Sequence, residues 1–139
     1  MKDSDGIKDT LRESLAKGGF HQALGLELVE VDKDRGLVTI KAPFQTLFER
    51  GPGSQQWHGG PIAAIVDIAA EFAIFARLGY GVPTANLRID FLRPAIDTGL
   101  VAYGKVVKAG RTLAVVDVEI MNQHAQCIAT GRGTYVTAK

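Results

Sequence analysis

The segment PIAAIVDIAAEFAIFARL, residues 61 to 78, constrains this chain more than any other stretch. As a helix it carries apolar side chains on nearly every face, so it must lie inside a folded domain or inside a bilayer. Asp67, Glu71 and Arg77 interrupt it, no second apolar span accompanies it, and charges at mid-span are costly in lipid. The segment therefore reads as the buried central helix of a soluble domain, terminated by GYGVP at residues 79 to 83.

Two details of this helix bear on chemistry. It is entered through Trp57-His58-Gly59-Gly60-Pro61. Proline suits a first helical turn, which leaves Gly59 and Gly60 at or before the cap. Glycines there serve to turn the chain, and they also let a ligand approach free N–H groups at the positive end of the helix dipole. A carbonyl oxygen gaining negative charge would be stabilised at such a place. The second detail is Asp67, two turns in and one turn before Glu71 on the same face. A carboxylate among apolar neighbours needs a reason. It is either bonded to a nearby loop or paired with an arginine, or it is a general base or nucleophile tuned by burial. Glu71 reads as structural, in an ion pair or at an interface, with a shared-proton dyad as the alternative.

Elements are expected on both sides of this helix. Ile7, Leu11 and Leu15 recur at helical spacing within residues 3 to 17, and Gly18-Gly19 ends that helix. A hairpin follows, with Leu26, Leu28 and Val31 on one strand, DKDRG as the turn and LVTIKA as the other strand. Residues 43 to 57 read as a loop with one helical turn. After the central helix everything reads as strand: TANLRIDFLRPA, GLVAYGKVVKAG, RTLAVVDVEI and AQCIATGRGTYVTA, with turns at Gly110-Arg111 and NQHA. Strand runs around a single long helix argue α+β, an antiparallel sheet wrapped on that helix. One sheet covers one side of the helix, so a second copy of the chain is expected on the remainder.

The 139 residues suit a single domain, 1–139, with residues 1–19 as an N-terminal helical extension. A net charge of +1 gives no reason to expect nucleic acid. The lone Cys127 forbids an intrachain disulfide and is expected in the core, and the charged N-terminus lacks the apolar stretch of a secretory signal, so a cytoplasmic location is expected. His21, His58, His124 and Cys127 have no metal-ligand spacing, so neither a metal nor a cofactor is expected. Phe44, Phe48, Trp57, Phe72 and Phe75 are candidates for an acyl pocket or for the core.

HGGPIAAIVDIAA followed by TANLRIDFLRPA resembles the hotdog-fold acyl-CoA thioesterases, in the branch of the phenylacetate-pathway and 4-hydroxybenzoyl-CoA thioesterases. The matching pattern is His58-Gly59-Gly60, an acidic residue nine positions after the histidine (Asp67), and a strand ending in Phe91-Leu92-Arg93-Pro94-Ala95. The resemblance spans residues 20 to 137 and implies hydrolysis of an acyl- or aryl-CoA thioester to free acid and CoA. It implies that the Gly59 N–H polarises the thioester carbonyl. It also implies that Asp67, from the other subunit of a homodimer or of a homotetramer built as a dimer of dimers, attacks the carbonyl or activates water. Thr84 matches a residue that positions water, His58 and Gly60 shape the substrate site, and Arg93 and Arg111 match arginines that meet the CoA phosphates. Pro52 stands where many members have an asparagine, with Gln55 or Gln56 as the substitute. A non-catalytic acyl-CoA binding or sensor module, and a hotdog dehydratase or hydratase, are the alternatives.

Overall fold

The computed structural model describes residues 4–139. Two short helices open the chain: α1 (Ser4–Ala16) and α2 (Gly19–Leu24). The hairpin β1 (Glu27–Asp32) and β2 (Leu37–Ala42) follows, and then a single 3-10 turn at Thr46–Phe48. The long helix is α3 (Gly59–Leu78), and the strands after it are β3 (Thr84–Phe91), β4 (Leu100–Ala109), β5 (Leu113–Asn122) and β6 (Cys127–Val136). They form one antiparallel sheet in the order β1-β2-β4-β5-β6-β3. With α3 packed across it, this is the expected α+β hotdog arrangement.

The sheet can take the helix so closely because side chains are missing where the two cross. A Cβ on Gly104 would sit 2.8 Å from the Ala69 carbonyl oxygen, and one on Gly131 would sit 2.5 Å from Val66 Cγ1. The helix contributes Ala69, Ala70 and Ala73 to the same crossing, all fully buried. Around it the inward faces of the strands are apolar, as in Ala114, Val116, Val118 and Ile120 of β5, each at most 1% exposed. Gly79, at φ 86, stops α3 by turning its N–H back to the Phe75 carbonyl.

Helix α1 runs from Ser4 to Ala16 as expected, and Asp3, the first residue of the expected range, lies outside the described residues. Gly18-Gly19 follows the end of α1 at Ala16, as expected, but Gly18, at φ 78, also caps a short helix, α2, that is not among the expected elements. Two expectations need correction. Central helix α3 begins at Gly59, with His58 as its N-cap, so both glycines stand inside the first turn. Most of α3 is also covered within its own chain, because Ile7, Leu11 and Leu15 of α1 are buried in the common core and His21 of α2 sets its ring edge against Phe72, 6.0 Å away. Beyond the first turn and the exposed Arg77, what remains open on α3 is a narrow, half-buried stripe: Ala63, Ala64, Asp67, Glu71, Phe75 and Leu78.

Two further departures concern β3, which is an edge strand, and the first residue of β6. On β3 the alternation of Leu87, Ile89 and Phe91 is present, but with neighbours on one side only, Leu87 and Ile89 are half-buried and Phe91 is 54% exposed. At the start of β6, Cys127 is half-buried beside a turn and not in the core.

Candidate active site

The open stripe of α3 faces the beginning of β3 and the end of β6. Thr84 stands opposite Tyr135 in the ladder between those strands, and the register slips immediately after Thr84, between it and Asn86. Such a bulge re-aims a side chain at the edge of a sheet. Both hydroxyls converge on Asp67. Thr84 Oγ1 donates to Asp67 Oδ1 at 2.8 Å, and the Tyr135 hydroxyl reaches the same oxygen at 2.8 Å and the backbone carbonyl of Asp67 at 3.1 Å. Burial, then the hydrogen bond to Asp67 and its charge, push the Tyr135 phenol far above its ordinary range. The shift favours the protonated phenol, a hydroxyl donor.

Glu71 lies one turn further along. Its Oε1 accepts the Val82 N–H at 3.3 Å. Burial raises its carboxyl above the usual range, the Val82 hydrogen bond opposes this, and the charge of Asp67 adds to the rise. Among the described residues Glu71 has no ion pair, so that part of the expectation is not met.

At the other end of the site, the N-terminus of α3 is short of free donors. An α-helix leaves its first N–H groups without intrahelical partners. Here the His58 N–H goes to the Phe48 carbonyl at 2.7 Å, the Gly60 N–H goes to His58 Nδ1 at 3.0 Å, and Pro61 has none. Among the described residues, only the Gly59 N–H of the first turn is left unclaimed. His58 thus acts as the cap, and Gly60 contributes its amide to that cap. Gly59 opens on a groove that Arg50, Gln56, Phe91 and Arg93 also line. Gln56, and not Gln55, shares that groove. Pro52 sits in an exposed turn whose backbone is pinned by the Glu49 carboxylate, which accepts the N–H groups of Gly53 at 2.7 Å and Gln55 at 2.9 Å.

The loop that delivers His58 and Gly59 rests on aromatic packing. Trp57 stacks on Phe48 at 4.9 Å between ring centres, and its indole N–H donates to the Thr98 carbonyl at 2.8 Å. Phe48, Trp57 and Phe72 are buried core residues, though Trp57 also borders the groove of Gly59, whereas Phe44 and Phe75 are half-buried.

The candidate residues fall into two groups. Gly59 and Arg93 belong to the N-terminal end of α3. Asp67 stands at mid-helix with Thr84 and Tyr135, and Arg111 lies in the turn between β4 and β5, which the Thr137 N–H closes by donating to Thr112 and the Thr137 hydroxyl by donating to Gly110. Gly59 and Asp67 are separated by about 12 Å of helical rise, so within one chain they cannot act on one carbonyl group. Tyr135 was not singled out from sequence. The available signal was GRGTY, in which Gly131, Gly133 and Tyr135 fall on one face of β6.

Comparison with known proteins bears on the family and the fold. The family model for the thioesterase superfamily matches residues 55–129. The acyl-coenzyme A thioesterase PaaI of Escherichia coli is 33% identical over 114 residues, covering 81% of this chain and 77% of that protein. The medium/long-chain acyl-CoA thioesterase YigI of Escherichia coli is 28% identical over 136 residues, covering 84% of each. Among solved structures, the Escherichia coli PaaI protein from the phenylacetic acid degradation operon superposes with a TM-score of 0.84 at 25% identity, covering 96% of this chain and 94% of that one.

Proposed function

The chain belongs to the thioesterase superfamily, in the phenylacetate branch, and from that premise we propose that it is an acyl-CoA thioesterase whose active site is shared between two copies. Its reaction is R–CO–S–CoA plus water to the free acid and CoA thiol. The carbonyl oxygen lies on the Gly59 N–H of one copy, where the helix dipole favours the charge it gains. Asp67 of the other copy supplies the base or nucleophile. As base, its free oxygen takes a proton from water while the water oxygen bonds to the carbonyl carbon. The tetrahedral oxyanion then collapses, the C–S bond breaks, and the proton passes to the departing sulfur. As nucleophile, it displaces the thiolate to form a mixed anhydride, which water opens.

One observation carries this reading. Asp67 is half-buried on the open stripe of α3 with one carboxylate oxygen held by two hydroxyls, and the one unclaimed N–H at the helix start lies too far along the same helix to join it. A two-fold pairing of α3 stripes removes that separation. Arg93, which shares the groove of Gly59, and Arg111, in the turn between β4 and β5, then reach one composite site from different copies, where they contact the CoA phosphates. Thr84, bonded to Asp67, acts there by holding the carboxylate and is within reach of the attacking water.

Free-thiol release from a panel of acyl-CoAs, with wild type and Asp67→Asn, tests the proposal. Wild type is expected to turn over at least one acyl class, and the asparagine variant, nearly isosteric, to fold and bind while losing about a hundredfold or more of the rate. Near wild-type turnover by Asp67→Asn would refute the assignment. Binding without thiol release by the wild type would make the protein an acyl-CoA binding module.

A further inference from the structure

We infer that Tyr135 is a positioning residue for Asp67, a role that rests on the reading of Asp67 as the catalytic carboxylate. The argument begins with the cost of the residue. Tyr135 is 0% exposed, and a buried phenol is tolerated only when its hydroxyl is bonded. Phenylalanine would fill the same volume without that demand. The fold nevertheless makes room for this ring: a Cβ on Gly133 would fall 2.5 Å from Tyr135 Cε2 and 2.9 Å from its hydroxyl, so the position two residues earlier on the same face has to be glycine. The ring leans back over Gly133, and its hydroxyl ends between the backbone carbonyl and the side chain of Asp67.

The direction of the two hydroxyls matters as much as their presence. Thr84 and Tyr135 both donate to Oδ1. The carboxyl torsion of aspartate is broad and two-fold when nothing restrains it. Two donors from adjacent strands remove that freedom, with Oδ1 as the anchor and Oδ2 left without a hydrogen bond among the described residues. A reacting group held in one orientation gains from not having to find it, and a misplacement of about 1 Å costs on the order of a hundredfold in rate. Because the phenol stays protonated, this hold does not lapse as pH rises.

Tyr135→Phe removes the hydroxyl and leaves Asp67 Oδ1 with its Thr84 bond, so no buried acceptor is orphaned. Steady-state hydrolysis is compared in wild type, Tyr135→Phe, Asp67→Asn and the double variant. The expected result is a kcat lower by about ten- to a hundredfold with KM within about twofold, and no further loss when Tyr135→Phe is added to Asp67→Asn. Wild-type kcat in Tyr135→Phe would overturn the inference. So would equal fold-losses in the two backgrounds, because a merely structural hydroxyl acts whether or not Asp67 is a carboxylate. If the phenylalanine variant does not fold, Gly133→Ala, which keeps the phenol but displaces its ring, is read by the same kcat and KM criterion. An active Asp67→Asn would instead remove the functional reading on which the inference stands, and the two failures are therefore distinguishable.

Discussion

Gly133 and Tyr135 form a matched pair on the inner face of β6: the glycine has no side chain because the tyrosine ring occupies that space, 2.5 Å from where a Cβ would lie. The pairing converts a strand position into a support for α3. Gly133→Ala should therefore overpack a closed site, at a cost of about 1–3 kcal/mol. Thermal melting should register the loss, and thiol release should fall with it because the displaced hydroxyl no longer reaches Asp67. An alanine variant with unchanged melting and unchanged kcat would mean that the ring has slack the geometry does not suggest.

Glu71 should make stability pH-dependent in a definite direction. Its carboxyl in the folded chain is raised above the ordinary value of 4.5, first by burial and also by Asp67. Between 4.5 and the raised value the native state holds the proton more tightly than the unfolded chain, so the stability contributed by Glu71 is present in acid and lost as pH rises through that window. Glu71→Gln removes the titration but keeps an acceptor for the Val82 N–H. Melting curves at several pH values should show Glu71→Gln gaining on wild type from pH 4 to pH 7. A difference that stays constant, or shrinks, would contradict the burial argument.

Arg93 and Arg111 sit at opposite ends of the sheet, yet both are assigned to CoA phosphates in the shared site. Each replaced by alanine should raise KM for CoA esters by about two- to fivefold, with a smaller effect on kcat, as exposed charge contacts allow. Added salt should raise the wild-type KM and lessen the difference between wild type and variants. If only one arginine affects KM, the other belongs to a solvated strand end.

The sequence and the structure agree best where one segment carries its own signal. The apolar run around Asp67 marked the central helix, its burial and the carboxylate in a single reading, and the glycines before it marked the helix start to within a turn. Gly18-Gly19 marked the end of α1 but hid α2, because glycines that end one helix also allow an abrupt new one. The expected partner-facing apolar surface was overestimated, since α1 folds back to bury Ile7, Leu11 and Leu15 against the core, a tertiary contact that local periodicity cannot reveal. Tyr135 was illegible for a related reason. Its role depends on β3 pairing with β6 and not with β4, which follows β3 in the chain, and no local pattern specifies that order. The reason for two copies shifts accordingly, from uncovered apolar area to the separation of Gly59 and Asp67.

The shared site is the central claim, and mixing two inactive variants tests it most directly. Asp67→Asn disables the carboxylate. Gly59→Val covers the unclaimed N–H, and the fold should accept it, because a Cβ there lies 3.5 Å from the exposed ring of Phe91, an ordinary contact. Circular dichroism of each variant alone establishes that it folds. Unfolded together and refolded, the two give mixed pairs in which one site carries both defects and the other carries none. If each site takes Gly59 from one copy and Asp67 from its partner, thiol release should return to about one quarter of wild type with random pairing. No recovery, with the mixed pairs confirmed by mass, would contradict the account and return Gly59 and Asp67 to separate roles within one chain.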